Sequence, residues 1–186
     1  RPAPRAGENV PSRARVVVRD DAGAEVFSGD VALDGPRDMK AGLLTLRSAA
    51  GLPPGLYRAE VSTPEAPWHP RAVTTGFWVK DERLLAAGPK LSVSRDWLRA
   101  DGRVIPVVGT TYMASDVHRK FLFEPNPAVW DRDFADMRAQ GVNMVRTGLW
   151  TGWSRVMIDP GAVDENVLSA LDAYVLTAAK HGILVC

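Results

Sequence analysis

Cysteine is almost absent from this sequence of 186 residues. The single cysteine is Cys186, so no disulfide can form within the chain. That fits either a reducing compartment or an exported bacterial protein that folds without disulfides. The run from Arg1 to Pro11 is polar and proline-rich and has no apolar core of the kind that a signal peptide needs. These residues therefore do not decide the compartment.

An excess of one charge and long apolar runs are lacking too. The net charge is +1, from 23 basic and 22 acidic residues without a basic block, so neither a nucleic-acid groove nor an anionic membrane surface is indicated. Apolar runs such as 183–186 are strand-sized, far short of the roughly 20 residues that cross a bilayer. The three histidines, His69, His118 and His181, have no metal-ligand spacing, so no metal site is predicted.

The first 80 residues have the pattern of an all-β domain. Short extended runs such as 14–19 and 56–62 alternate with turn signals at 20–23 and 52–55, and no helical period interrupts them. This pattern predicts an immunoglobulin-like β-sandwich over 1–80. Its core is expected to contain the aromatic residues Phe27, Tyr57, Phe77 and Trp78. Residues 81–90 are charged and end in Gly-Pro, which predicts a linker.

From residue 91 onward the pattern becomes mixed α/β. A hairpin is predicted around Asp101-Gly102, followed by a buried strand over 104–113. Asn126-Pro127 and Asp164 are predicted to cap two helices that end at Gly141 and Gly182. Strands are expected at 142–149 and 183–186. Strand, helix, strand, helix, strand is typical of right-handed βαβ units in a parallel sheet.

Two parallel-sheet folds compete for residues 91–186. A nucleotide-binding, doubly wound sheet requires a glycine-rich loop after its first strand, but the segment 109–114 has one glycine. The long excursion over 114–125 is instead typical of a functional loop at the C-terminal face of a barrel. We therefore predict the start of a (β/α)8 TIM barrel over 91–186. The chain stops inside an apolar run, and it is expected to be truncated after the third strand.

Three segments resemble the retaining (β/α)8 glycoside hydrolases, which include cellulase-, mannanase- and β-galactosidase-like enzymes. Residues 101–112 read D-G-R-V-I-P-V-V-G-T-T-Y, similar to their hairpin and first strand. Residues 137–146 read M-R-A-Q-G-V-N-M-V-R, similar to their second helix–strand unit M-K-x-x-G-x-N-x-V-R. The third, spread over 159–161, 171–172 and 178–183, looks like their approach to the third strand. The resemblance covers roughly residues 91–186, the N-terminal portion of such a barrel.

The resemblance implies cleavage of a β-linked oligo- or polysaccharide without a cofactor. Retaining hydrolysis uses two carboxyl groups about 5 Å apart, an acid/base and a nucleophile. In the family they follow the fourth and seventh barrel strands, so both would lie outside this chain, which alone is expected to be inactive. The expected partner is the carbohydrate, and the oligomeric state stays open. An extracellular or periplasmic location is expected from the substrate class alone.

The resemblance also implies supporting residues. Arg146, at the end of the second strand, would orient the ionised nucleophile, because a guanidinium can donate two hydrogen bonds to a carboxylate. Four further residues are predicted to bind substrate. Trp150 and Trp153 would stack on the C–H faces of sugars, and Tyr112 and His118 would hydrogen-bond sugar hydroxyls. The alternatives are a structural salt bridge for Arg146 and packing or solvent exposure for the others. Six acidic residues are interpreted as loop or surface charges, namely Asp116, Glu124, Asp159, Asp131, Asp133 and Asp136.

Two other functions fit the sequence. A non-catalytic carbohydrate-binding or cell-surface module would also use a β-sandwich and exposed aromatic residues. An unrelated barrel enzyme would share only the alternation of strands and helices. Glutamates at later strand ends distinguish the hydrolase from the binding module.

Overall fold

The computed structural model describes residues 13–32, 51–63, 72–148 and 156–186. The chain divides into two compact units, with the boundary between Val79 and Lys80. Within the described ranges, no helix has both the length and the apolar character needed to cross a membrane.

The first unit contains a four-stranded antiparallel sheet with the order β2-β1-β3-β4. A tight turn joins the first two strands, where the Asp20 carboxylate accepts the Ala24 N–H at 2.8 Å. The strands are β1 (Arg13–Asp20), β2 (Glu25–Ala32), β3 (Gly55–Ser62) and β4 (Val73–Val79).

One face of this sheet carries the core of the first unit. Val16 and Val18 alternate with exposed or half-buried residues along β1 and are buried together with Tyr57 and Ala59. The Tyr57 ring stacks on Phe77 with centroids 5.3 Å apart, and its hydroxyl donates to the Pro53 carbonyl. The core role predicted for Tyr57 is therefore confirmed.

The second sheet that a sandwich requires is not seen within 13–32, 51–63 and 72–79. Residues 33–50 and 64–71 of the predicted sandwich lie outside the described residues. What the structure establishes for this unit is a single antiparallel sheet, and the sandwich stays a prediction.

The second unit contains three helices and eight short strands in its described part. The helices are α1 (Glu82–Ala86), α2 (Pro127–Ala139) and α3 (Glu165–Lys180). The strands are β5 (Leu91–Val93), β6 (Leu98–Ala100), β7 (Arg103–Val104), β8 (Gly109–Thr111), β9 (Met144–Arg146), β10 (Met157–Asp159), β11 (Ala162–Val163) and β12 (Leu184–Val185).

Helix α1 lies inside the segment 81–90 that the sequence predicted as a linker. The Asp81 carboxylate caps it by accepting the N–H groups of Arg83 and Leu84, each at 3.0 Å. Just before it, Lys80 Nζ lies 3.1 Å from Asp172 on α3. This segment therefore contains a capped helix and belongs to the second unit.

The predicted hairpin is confirmed, but the strand predicted over 104–113 is wrong in extent. Asp101 and Gly102 both have positive φ, 49° and 78°, as a type I′ turn between β6 and β7 requires. Strand β7 ends at Val104 and β8 begins at Gly109, because Pro106 has no N–H for a sheet ladder. Asn143 holds this interruption: its side chain accepts the Val108 N–H at 3.0 Å and donates to the Pro106 carbonyl at 2.7 Å.

The functional part of the fold is a parallel sheet with the order β8-β9-β12. Helices α2 and α3 connect these strands in two βαβ units, and their aromatic residues pack with Val145 in one core. Tyr174 lies at its centre, with its ring centroid 5.2 Å from Phe121, 5.4 Å from Phe134 and 5.7 Å from Trp130. The structure thus has the βαβαβ arrangement that the sequence predicted, without a closed barrel in the described residues.

Both predicted helices have the predicted ends. Proline occupies the first turn of α2, and Asp164 caps α3 by accepting the Asn166 N–H at 2.8 Å. Gly141 has a φ of 82°, which glycine adopts without steric cost at the residue after a helix cap.

Asp131 is buried, which corrects its interpretation as a surface charge. Its side chain is 10% exposed, and Oδ1 lies 2.7 Å from both Lys180 Nζ and His181 Nε2. This contact joins the first half of α2 to the end of α3. A low-dielectric position strengthens such contacts and makes the loss of one partner costly.

We expect Asp131→Ala to lower the free energy of unfolding by about 2 to 3 kcal/mol, since it removes two charge-assisted hydrogen bonds at a buried position. The exposed Asp136, on the same helix, is the matched control, and Asp136→Ala should cost less than about 0.5 kcal/mol. Urea unfolding at neutral pH measures both. Equal losses in the two variants would contradict a structural role for Asp131.

Candidate functional site

The carboxyl ends of the three parallel strands meet at one edge of the second unit. Thr111 and Arg146 are paired in register, and the Tyr112 N–H donates to the Arg146 carbonyl at 2.9 Å. On the other side, the Cys186 N–H donates to Val145 and the Thr147 N–H donates to Cys186. Residues that lie side by side on adjacent strands point to the same face of a sheet. Thr111, Arg146 and Cys186 therefore form one row across the three strands.

This row lies on the face of the sheet away from the helices. Val145 is fully buried against the helical core, and the next residue, Arg146, is exposed. Successive side chains of a strand point to opposite faces. The predicted site residue Arg146 is therefore at the strand end that the sequence predicted, with its side chain on the open face.

The excursion after β8 runs along the same edge. Ala114 pairs with His118, whose φ is 52°, and the His118 N–H donates to the Ala114 carbonyl at 2.9 Å. Non-glycine residues with positive φ are uncommon and often occur at functional turns. The tip borders an open depression of about 590 Å³. Its lining consists of Met113, Asp116, Val117, His118, Arg119, Lys120 and Glu124.

We call residues 113–124 the strand-end loop. Its N-terminal part leaves β8, and its C-terminal part returns to the core through Phe121 and Leu122, which are buried. His118, which the sequence predicted to bind substrate, is exposed at the tip. Its contact with substrate stays a prediction.

Tyr112, which the sequence predicted to bind substrate, lies in the core of the second unit. Its ring contacts Phe134 and Tyr174 at centroid distances of 5.0 and 5.8 Å. Its hydroxyl donates to Asp133 Oδ2 at 2.9 Å. A buried ring with an engaged hydroxyl favours a structural role over the predicted sugar contact. Burial, with a smaller contribution from the Asp133 carboxylate, raises the pKa of the Tyr112 hydroxyl far above its usual value.

The structure also corrects the surface position predicted for Asp133. Its side chain is 13% exposed and accepts hydrogen bonds through both oxygens. Oδ2 accepts the Tyr112 hydroxyl and the Ser115 N–H, while Oδ1 accepts the Ser115 hydroxyl at 2.9 Å. Sequence reasoning missed this residue because its partners lie 18 and 21 residues away in the chain.

The acidic residues interpreted as loop charges make mostly local contacts. The Asp116 carboxylate accepts the Val117 N–H at 2.8 Å, and Glu124 pairs with Lys120 at 3.4 Å. Asp159 is exposed and ends β10. Within the described ranges no three His, Cys, Asp or Glu side chains converge on a possible metal position. The predicted substrate ligands Trp150 and Trp153 lie outside the described residues.

The sequence matches no protein-family model and no curated protein. Among solved structures, the chain is similar to bacterial β-glucuronidases. For Parabacteroides merdae β-glucuronidase the identity is 18%, with 94% of this chain and 19% of that chain covered and a TM-score of 0.28. For Ruminococcus gnavus β-glucuronidase the identity is 16%, with 97% of this chain and 24% of that chain covered and a TM-score of 0.31. For Lactobacillus rhamnosus β-glucuronidase the identity is 19%, with 95% of this chain and 24% of that chain covered and a TM-score of 0.31.

The chain thus spans between 19% and 24% of the length of these three proteins. TM-scores of 0.28 to 0.31 are too low to establish a shared fold.

The shifted pKa of Tyr112 predicts a loss of stability in alkali. Above pH 10 the hydroxyl ionises in the unfolded chain but stays protonated in the folded one. The free energy of unfolding should therefore fall with rising pH, by about 1.4 kcal/mol per pH unit for this group. Urea titrations between pH 9 and 11.5 measure the slope.

Tyr112→Phe should remove that part of the slope, at a cost of about 1 kcal/mol at neutral pH for the lost hydrogen bond. Ser115→Ala removes a different donor to Asp133 without removing a titrating group, so it should leave the slope unchanged. An alkaline slope that is identical in wild type and Tyr112→Phe would contradict the assignment.

Proposed function

We propose that this chain is the N-terminal part of a glycoside hydrolase that cleaves a β-linked oligo- or polysaccharide with retention of configuration. The observation that carries the proposal is the position of Arg146. This arginine is exposed at the carboxyl end of the second parallel strand, beside the first strand end and its loop. Active sites of (β/α)8 enzymes lie at this end of the strands.

The proposed fold is the start of a (β/α)8 barrel. Three parallel strands in sequential order with both helices against one face support it. Further βα units that closed the sheet would enclose the open face, so that the row Thr111, Arg146 and Cys186 would line the interior. The first unit would be a β-sandwich accessory domain over 1–80, followed by the connecting segment 81–90.

The motif that resembles the family also has a physical basis in this structure. Asn143 holds the connection before β8, and Arg146, three residues later, is on the open face. In M-R-A-Q-G-V-N-M-V-R, one residue thus fixes the strand pair and the other is presented at its end. This separation of roles supports transfer of the nucleophile-orienting role to Arg146.

The proposed mechanism uses two carboxyl groups from outside this chain. One carboxylate attacks the anomeric carbon while the other, as an acid, protonates the leaving oxygen; water then hydrolyses the glycosyl-enzyme intermediate. The guanidinium of Arg146 would hold the nucleophile ionised and oriented through two hydrogen bonds. His118, Trp150 and Trp153 are proposed to contact the sugar, and the substrate class favours an extracellular or periplasmic site of action.

The test is hydrolysis of aryl β-glycosides by the whole protein. Arg146→Ala should lower kcat about a hundredfold, since it removes a preorganised charge from the reacting centre. Arg146→Lys should recover little, because an ammonium group cannot donate in the bidentate geometry. Arg138→Ala, an exposed arginine at the end of α2, should leave kcat unchanged.

Two further observations complete this test. The first sugar product should be the β-anomer by NMR, and residues 1–186 alone should show no hydrolysis. Absence of turnover by the whole protein on every glycoside, with sugar binding retained, would instead favour a carbohydrate-binding module. Hydrolysis by residues 1–186 would contradict the placement of both carboxylates outside the chain.

A further inference from the structure

Asp133 connects α2 to the beginning of the strand-end loop. Its carboxylate accepts the Ser115 N–H at 3.1 Å and the Ser115 hydroxyl at 2.9 Å, one hydrogen bond to each oxygen. Arg132 supports the same contact, because its Nη2 donates to the Ser115 hydroxyl at 3.1 Å. Ser115 is the last residue before the exposed tip, so the point at which the loop leaves the sheet is fixed to the helix.

The other end of the loop is fixed by packing. Phe121 is 1% exposed, and its ring contacts Trp130 on α2 and Tyr174 on α3. Between Ser115 and Phe121 lie five residues, of which His118 has the strained backbone. A short segment held at both ends by rigid elements has few conformations available, and this keeps an unfavourable φ populated.

Asp133 itself is an unexpected residue in the interior of a helix. Aspartate is a weaker helix former than alanine, because its side chain competes for backbone hydrogen bonds. Here the side chain accepts hydrogen bonds from Tyr112, from Ser115 and from the Arg132 guanidinium. The contact with the loop therefore compensates for a residue that the helix alone does not favour.

We propose that Asp133 is a positioning residue, which acts through Ser115 to hold the strand-end loop and His118 in the geometry that binds the sugar. The inference rests on the proposed function for its substrate, but the loop geometry is testable without it. Asp133 touches no reacting atom. Its effect should therefore be on substrate binding rather than on the chemical step.

Hydrogen–deuterium exchange of the whole protein tests the positioning. In Asp133→Ala, peptides covering 113–124 should exchange about tenfold faster, while α3 peptides stay unchanged. Asp136→Ala is the matched control on the same helix. Asp133→Asn keeps an acceptor oxygen for the Ser115 N–H and should restore part of the protection. It also serves if the alanine variant fails to fold. Unchanged loop exchange in both Asp133 variants would overturn the proposal.

Kinetics of the whole protein test the connection to substrate. Asp133→Ala should raise KM about tenfold and change kcat less than about twofold, with Asp133→Asn between it and wild type. Faster loop exchange with an unchanged KM would overturn the role in sugar binding. If wild type hydrolyses no glycoside, the proposed function fails, and the exchange experiment still decides whether Asp133 holds the loop.

Discussion

The parallel pairing of β8, β9 and β12 is the constraint on which the second unit depends. Each strand of a parallel sheet must be reached by a crossover, and here both crossovers are helices packed on the same face. Burial of Val145 against those helices leaves the adjacent Arg146 on the opposite face. The helical core thereby determines which side chains are available for chemistry, and the sheet brings their strand ends together.

Two polar side chains, Asn143 and Asp133, hold the backbone on either side of β8. Asn143 holds the irregular segment before β8, where Pro106 prevents a continuous ladder, and so places the first strand beside the second. Asp133 holds the loop after β8 through Ser115. Asn143 therefore holds the chain just before β8, and Asp133 holds it just after β8. The hydrogen bonds that build the site are long-range, while those that build its helices are local.

That difference explains what the sequence could predict. Helix ends follow from local rules, so the start of α2 at Pro127, the Asp164 cap and the glycine at 141 were predicted correctly, as was the turn at Asp101-Gly102. Asn126 occupies the N-cap position of α2 without a side-chain hydrogen bond to the helix. Arg146 was placed at a strand end from the sequence, but its neighbours Thr111 and Cys186 in the row follow from the strand register. Asp131 and Asp133 were misplaced, and the burial of Tyr112 was not foreseen, because no local pattern shows which polar side chain meets a partner across the core. The break at Pro106 was hidden within an apolar run that looked continuous.

The most direct test of the central claim, that these strand ends form a sugar-binding cleft, is alkylation of Cys186. This exposed thiol follows β12 and lies in the row beside Arg146. Its rate of reaction with iodoacetamide in the whole protein can be followed by mass spectrometry of the peptide that contains it, with and without a saturating non-hydrolysable β-glycoside. A bound sugar should slow the reaction at least severalfold. The control is Val93→Cys on the exposed strand β5, far from the row in sequence, and its alkylation rate should not change. Equal alkylation rates at Cys186 with and without the glycoside, under conditions where the glycoside is bound, would contradict the claim.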